Sequence, residues 1–423
     1  MAGSAKTRRT LRERIGNLMT AREGPMGRTA IISVDGHVKA SRAGYRQYIE
    51  QKYLEQYDAS VQAAEDAGVP DAGNLNPEFG FDAQWDSGRR LESLEGQGVV
   101  AEVLFPNGQP FQVNRLEDAG RAMDAELAAA GRRAYNRWLV DFCGEAPGRR
   151  AGQAVVSFDD IDQAIADILW AKEHGLGGIM MPPLNPGGTF FFDPALDPIW
   201  AAIQDVGLPI SQHGGAGLPA YSPPGFASII TISVENAFFS SRSLWQLIAG
   251  GVFDRFSDLK VSFIETQVFF LTAAIAHMDQ TLAGTDDWMA FARSLKRERT
   301  VSRPASEYIG TNCYIGVSPF DPRQIPIDQL VGKDADQRPL PGVHIGADAA
   351  MFGVDYPHFE SIFPGTMDKV ATLTRDPSVT EQDARKILFD NAAQLYGFDR
   401  AVLRPHIDRI GFELEDLLVP SLA

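Results

Sequence analysis

Eight short apolar runs rich in Val and Ile punctuate the chain, at residues 29–37, 99–106, 151–158, 177–183, 208–215, 258–266, 312–318 and 350–358. They are continuously apolar rather than alternating, the pattern of parallel strands covered by helices. Helix-like stretches separate most of them, among them 115–142, 161–174, 194–206 and 241–253. Strand and helix alternating to a total of eight predicts an α/β fold, a distorted (β/α)8 TIM barrel with long loop insertions at its C-terminal face. A chain of 423 residues with 44% hydrophobic side chains can bury such a core without disulfides.

The barrel is expected to occupy residues 29–400. Residues 38–98, after the first run, are far longer than an ordinary connection and read as an insertion or lid. A second irregular stretch, 216–235, follows the fifth run and holds Pro219, Pro223, Pro224 and Gly225. Both leave the C-terminal ends of strands, where barrel active sites are built. Residues 1–28 read as a basic extension carrying Lys6, Arg8, Arg9, Arg12, Arg14, Arg22 and Arg28, without the apolar core of a signal peptide. Residues 401–423 read as a C-terminal tail, and either end could supply the contacts of a homodimer.

The net charge of −16 argues against nucleic acid as a partner, and no run reaches the length of a membrane helix. Cys143 and Cys313 are too few for a disulfide framework and lack metal-ligand spacing, so the cytoplasm is the expected compartment.

Chemistry gathers where the apolar runs end. The first ends on Val34-Asp35-Gly36-His37, the fifth on Gln212-His213-Gly214, and the eighth on Val354-Asp355-Tyr356-Pro357-His358. Residues i and i+2 of a strand point to the same side, so Asp35 and His37 can reach one point. A closed barrel brings the ends of strands one, five and eight around one axis, which makes Asp35, His37, His213 and Asp355 a candidate metal-ligand set. Two carboxylates with two imidazoles suit manganese or iron as well as zinc.

These residues sit in a longer series of motifs: VDGH at 34–37, EVLFPN at 102–107, AYNRWLVDFC at 134–143, DPIWAAIQDVGLPISQHGG at 197–215, FDRFSDLKVSFIE at 253–265, EYIGTNCY at 307–314, FGVDYPHFE at 352–360 and ILFDNAAQLYGF at 387–398. In order and spacing the series resembles the amidohydrolase superfamily, in the amidohydrolase 2 branch that includes amino-carboxymuconate-semialdehyde decarboxylase and γ-resorcylate decarboxylase. The resemblance implies that Asp35, His37, His213 and Asp355 hold a single divalent ion, zinc, manganese or iron. Residues 177–183 contain no lysine of the kind that bridges two metals in binuclear relatives.

Glu265 ends the sixth run where some relatives carry a catalytic histidine, and it reads as a general acid/base or an additional ligand; orienting a ligand histidine is the alternative. The following Thr266-Gln267-Val268-Phe269-Phe270 departs from the family pattern. Asp355 can both bind the ion and take a proton from bound water. Asn107 and His358 are candidates for substrate contact, although a turn-forming Asn and a histidine bracing the Asp355 loop are the plainer roles. Arg89 and Arg90 could meet a substrate carboxylate, but paired surface arginines are the commoner case.

The leading expectation is a metal-dependent hydrolase that opens an amide-type or related bond of a small cyclic or aromatic metabolite with metal-activated water. The alternative is a metal-dependent non-oxidative decarboxylase, a lyase of an aromatic or unsaturated carboxylate. More remote is a catalytically silent ligand-binding barrel, which would have no need of charged groups converging on one point.

Overall fold

Segments that are apolar on both faces satisfy their backbones by pairing edge to edge and hide their side chains under helices. In the computed structural model, which describes residues 27–71, 75–112, 124–182, 189–215, 225–284, 287–296, 300–321 and 325–418, the eight runs do this in sequence order. The strands are β1 (Ile31–Val38), β2 (Val99–Pro106), β3 (Arg150–Val155), β4 (Gly178–Met180), β5 (Ile210–His213), β6 (Val261–Ile264), β7 (Cys313–Val317) and β8 (Ala350–Phe352). Each is parallel to the next. The longer helices are α1 (Leu54–Asp66), α2 (Ser87–Glu95), α3 (Ala125–Gly144), α4 (Ile161–Glu173), α5 (Asp197–Val206), α6 (Phe226–Ala249), α7 (Val268–Leu282), α8 (Thr366–Thr374) and α9 (Arg400–Ile410). Aspartates cap several of them: Asp86, Asp124 and Asp160 accept first-turn amide hydrogens of α2, α3 and α4.

The expected (β/α)8 barrel is therefore the observed architecture. Its larger apolar cluster joins strand side chains such as Ile31, Leu104, Ile179, Ile210 and Val261 to helix side chains such as Leu139, Ile168, Trp200 and Leu247. A smaller cluster gathers Ile32 and Val34 of β1, Val103 and Phe105 of β2, Ile264 and Met351 with Phe389 and Tyr396. The Tyr396 hydroxyl lies within hydrogen-bond reach of Ser211 and Ser262, so the polar atom buried with this cluster is satisfied.

Closure between β8 and β1 is the detail that matters most for the site. β8 stops at Phe352, well short of the expected 358, and the ladder to β1 is made by the residues that follow it. The Asp355 amide donates to the Asp35 carbonyl at 3.0 Å, and the His37 amide donates to the Tyr356 carbonyl at 2.8 Å. Asp355, three residues past β8, has φ 60°, a left-handed conformation that turns the chain at this closing ladder.

Other expectations need adjustment. The 216–235 stretch is helical from Phe226 onward, because no proline follows Pro224; the exposed Phe226, Ile229 and Val234 obscured its amphipathic period. Pro219, Pro223 and Pro224 lie outside the described residues, as do the start of the 115–142 helix, most of the basic extension and residues 419–423. The 38–98 insertion contains α1 and α2. The tail is joined to the barrel, with Thr29 and Phe412 forming an antiparallel bridge. Among the described residues, no helix is long and apolar enough to cross a membrane.

Candidate metal centre

The end of β1 is shaped around a buried ion pair. Arg90 of α2 is fully buried, and its Nη2 lies 2.6 Å from Glu102 of β2. Its remaining hydrogens go to the carbonyls of His37 (2.9 Å) and Tyr356 (3.1 Å), so one guanidinium ties the two strand ends that carry the site. Gly36 is required beneath it: a Cβ there would lie 2.8 Å from Arg90 Nη2 and 2.9 Å from Glu102 Oε2. The register of β1 against β2 slips between Ser33 and Gly36, placing a bulge beside Asp35. Arg90 is thus a paired arginine, but an interior one; Arg89 is the surface member, bound to Asp82.

Asp35, His37 and His213 meet at one point, and all three are buried. Asp35 Oδ1 lies 3.1 Å from His37 Nε2 and 3.2 Å from His213 Nε2. His37 Nε2 is also 3.3 Å from Asp355 Oδ1. Hydrogen bonds on the far side of each group decide what faces this point. His213 Nδ1 lies 2.9 Å from the Gly214 carbonyl, which only accepts, so Nδ1 holds the hydrogen and Nε2 of the neutral ring presents a lone pair to Asp35. Ser318 Oγ donates to Asp35 Oδ2 at 2.6 Å, leaving Oδ1 for the centre.

Neither ring nitrogen of His37 and neither oxygen of Asp355 has a hydrogen-bond partner among the described residues. Buried acceptors aimed at one another cost several kcal/mol unless a proton or a cation lies between them, roughly as for any uncompensated buried charge. A divalent ion fits that requirement, and oxygen and nitrogen donors of this mixture suit zinc, manganese or iron.

Electrostatics within the protein alone points the same way. Burial opposes the charge on Asp35, yet His213 and His37 together outweigh it and hold this carboxyl below its ordinary range. Burial and then the neighbouring Asp35 charge push Asp355 well upward. Glu265 is also raised well above the usual carboxyl range, first by burial and then by Asp355. It lies at the end of β6, with φ 57°, and its Oε2 is 3.6 Å from His213 Nδ1. Its side chain is 20% exposed while that of Asp355 is fully covered, so Glu265 is the acid of the two that faces outward.

His358 stacks on His37, ring centroids 3.8 Å apart, and its Nε2 lies 3.1 Å from Asn107 Oδ1. Asn107 in turn donates to Gln84 Oε1 at 2.7 Å. The two candidates for substrate contact therefore meet each other at the edge of the cluster. The signals that went unread in the sequence are Ser318, Gln84 and Glu360, none of which ends an apolar run with a histidine. Glu360 forms, with Glu265 and Asp355, a group whose ligand atoms lie within 4.8 Å of one another.

An apolar cavity of about 750 Å³ opens between α6 and the start of α7, lined by Phe238, Phe239, Gln267 and Phe270 among others. Of these, Gln267 lies two residues beyond Glu265 in the chain. α6 is tied to the end of β5 by Asn236, whose Oδ1 accepts the Gly215 amide at 2.8 Å.

Comparison with known proteins agrees with this architecture. Among solved structures, an amidohydrolase from Mycobacterium avium subsp. paratuberculosis K-10 superposes with a TM-score of 0.60 at 19% identity, covering 87% of this chain and 99% of that one. A 2,6-dihydroxybenzoate decarboxylase from Rhizobium gives 0.57 at 17% identity, covering 87% and 99%. A 5-carboxyvanillate decarboxylase from Novosphingobium aromaticivorans, with bound manganese, gives 0.58 at 18% identity, covering 89% and 99%. No curated protein matches the chain. The amidohydrolase family model matches residues 81–398, more than half of the chain, and so includes His213, Glu265 and Asp355 while β1 precedes it. The chain belongs to the amidohydrolase family, as a metal-dependent enzyme on a (β/α)8 barrel.

Proposed function

We propose that the protein is a non-oxidative decarboxylase of a small aromatic or unsaturated carboxylate, with one divalent ion held by Asp35, His37, His213 and Asp355. This reverses the order of the two activities expected from sequence. The observation that carries it is Glu265, a carboxyl whose hold on its proton is strengthened by burial and by Asp355 and whose side chain faces outward from the cluster, with a cavity of about 750 Å³ lined two residues further on by Gln267. Hydrolysis calls for a base to take a proton from water, whereas loss of carbon dioxide calls for an acid to give one to carbon. That the solved relatives include decarboxylases of dihydroxybenzoate and carboxyvanillate supports the same choice.

When bound, the ion supplies a Lewis-acid point that offsets the charge of the substrate carboxylate. The apolar walls Phe238, Phe239 and Phe270 hold the ring and exclude water. As the bond between ring carbon and carboxylate breaks, the electron pair stays on the carbon and takes the Glu265 proton; carbon dioxide leaves, and Glu265 regains a proton from solvent through its exposed edge. Under the same proposal the enzyme is a cytoplasmic homodimer, supported by two free cysteines and by the exposed Phe226, Ile229 and Val234 on α6.

The test is carbon dioxide release from a panel of hydroxybenzoates and unsaturated acids, run beside amide and ester hydrolysis. Glu265→Gln is expected to keep its metal and lose turnover by roughly 10²–10⁴-fold. Hydrolysis without carbon dioxide release, or full turnover in Glu265→Gln, overturns the proposal.

A further inference from the structure

Helix α6 carries one row of side chains at the three- and four-residue spacing of a single helix face: Phe226, Ile230, Val234, Ala237, Ser241 and Leu244. Its lower part faces the barrel. Leu244 belongs to the core, Ala237 and Ser241 are buried, and Ser241 Oγ donates at 3.4 Å to the carbonyl of Thr266, the residue after Glu265. The upper part of the same row has no such cover: Val234, Ile230 and Phe226 are 69%, 48% and 79% exposed. On these upper turns the covered side is the polar one, with Ser228 buried and Thr231 and Glu235 half-buried. Helices at a protein surface ordinarily turn their sides the other way, and an exposed apolar face of this kind marks a place where something apolar binds.

Helix geometry gives the row a direction. At 1.5 Å per residue, Val234 stands roughly 10 Å and Phe226 roughly 22 Å beyond Ser241. Because Ser241 meets the end of β6, the exposed residues continue its line past the strand ends that carry Glu265 and, through the bond from the Gly215 amide to Asn236, His213. At the foot of the row, Val234 and Ala237 line the cavity of about 750 Å³ together with Phe238 and Phe270. A cavity of roughly 150 Å³ is enough to hold benzene, so this one has room for much more than a single ring.

We infer that the row is a subsite for an apolar tail: the substrate is a carboxylate whose ring or double bond carries an extended hydrocarbon chain, laid along Val234, Ile230 and Phe226. No charged side chain interrupts the row, so the chain it accepts is hydrocarbon rather than acidic or basic. That the carboxylate end loses carbon dioxide rests on the proposed function; the tail subsite rests on α6 itself. In the proposed dimer, a second copy resting on the helix tip would close the row from outside and leave Val234 and Ala237 facing the tail.

The experiment is calorimetric titration of the full chain, loaded with Mn²⁺, with 2-hydroxybenzoates that carry a methyl, pentyl or undecyl group at the other ortho position, beside carbon dioxide release from each acid. A methylene fully buried on the row strengthens binding by roughly fourfold, so the dissociation constant is expected to fall by roughly tenfold or more from methyl to pentyl. Ile230→Asp and, separately, Val234→Asp change exposed positions outside the core, and each is expected to flatten the series by roughly the same factor. The inference is overturned if wild-type affinity does not respond to chain length, or if the response survives in both variants, since the tail then lies elsewhere. A flat series in a dimer that Ile230→Asp splits also overturns it and gives the row to a second copy alone. Chain-length dependence without carbon dioxide release leaves the subsite intact and removes the proposed activity; carbon dioxide release with a flat series does the reverse.

Discussion

Replacing Arg90 by methionine tests how the site is held together. Arg90 is fully buried, makes three contacts to Glu102 at 2.6, 3.0 and 3.1 Å, and bonds the His37 and Tyr356 carbonyls at 2.9 and 3.1 Å. Its loss strands Glu102, itself only 4% exposed, as a buried unpaired charge. Breaking one side of a buried pair costs roughly 3–5 kcal/mol. Urea unfolding followed by circular dichroism, with metal chelated, reads this cost directly. The double variant Arg90→Met with Glu102→Met removes both charges and should recover most of it. It does not restore the tie between the β1 and β8 ends, so calorimetric titration with Mn²⁺ should still show affinity about 10–100-fold weaker than wild type. A single-variant cost below about 1 kcal/mol, or wild-type Mn²⁺ affinity in the double variant, refutes the reasoning.

Ser318→Ala removes the 2.6 Å hydrogen bond that orients Asp35 and should lower metal affinity by roughly 10–100-fold with little change in overall stability, measured by the same titration. Glu95 joins Arg149 and Arg409, and the Arg409 hydrogen bond leads the influences that bring its carboxyl down to about 2. A depressed folded value stabilises above the unfolded value, near 4.5, and that stabilisation fades as pH falls toward 2; Glu95→Gln should therefore be less stable than wild type by about 1 kcal/mol or less at pH 7, with the gap closing through that window in acid. Chelation should lower the unfolding free energy by about 2.7 kcal/mol relative to protein with free Mn²⁺ at a hundred times its dissociation constant, read as a drop in Tm.

Much of the fold was legible because its signal is local. Continuous apolar runs of strand length mark β1 to β8, and the strand ends carry Asp35, His37 and His213 within a residue or two of where apolar sequence stops. What escaped depends on pairs far apart in the chain. Asp355 reads as the end of a strand, but β8 stops at Phe352 and Asp355 is placed by a ladder to Asp35, which no local period encodes. Ser318 is an ordinary strand-end serine until it meets Asp35, 283 residues away. Arg90 looks like a surface arginine because its neighbour Arg89 is one; only the helix phase of α2 turns Arg90 inward to Glu102. Glu360 stands in a turn, and only the folded chain brings it beside Glu265 and Asp355. The helical half of 216–235 was misread because its apolar side chains face a cavity and solvent rather than the barrel core.

Crystals grown with Mn²⁺ and measured for anomalous scattering address the central claim, that buried acceptors converge in order to hold a metal. An anomalous peak is expected at roughly 2.0–2.3 Å from Asp35 Oδ1, His37 Nε2, His213 Nε2 and an oxygen of Asp355. Mn²⁺ bound only at other positions, with these four groups bridged by protons or water, contradicts it.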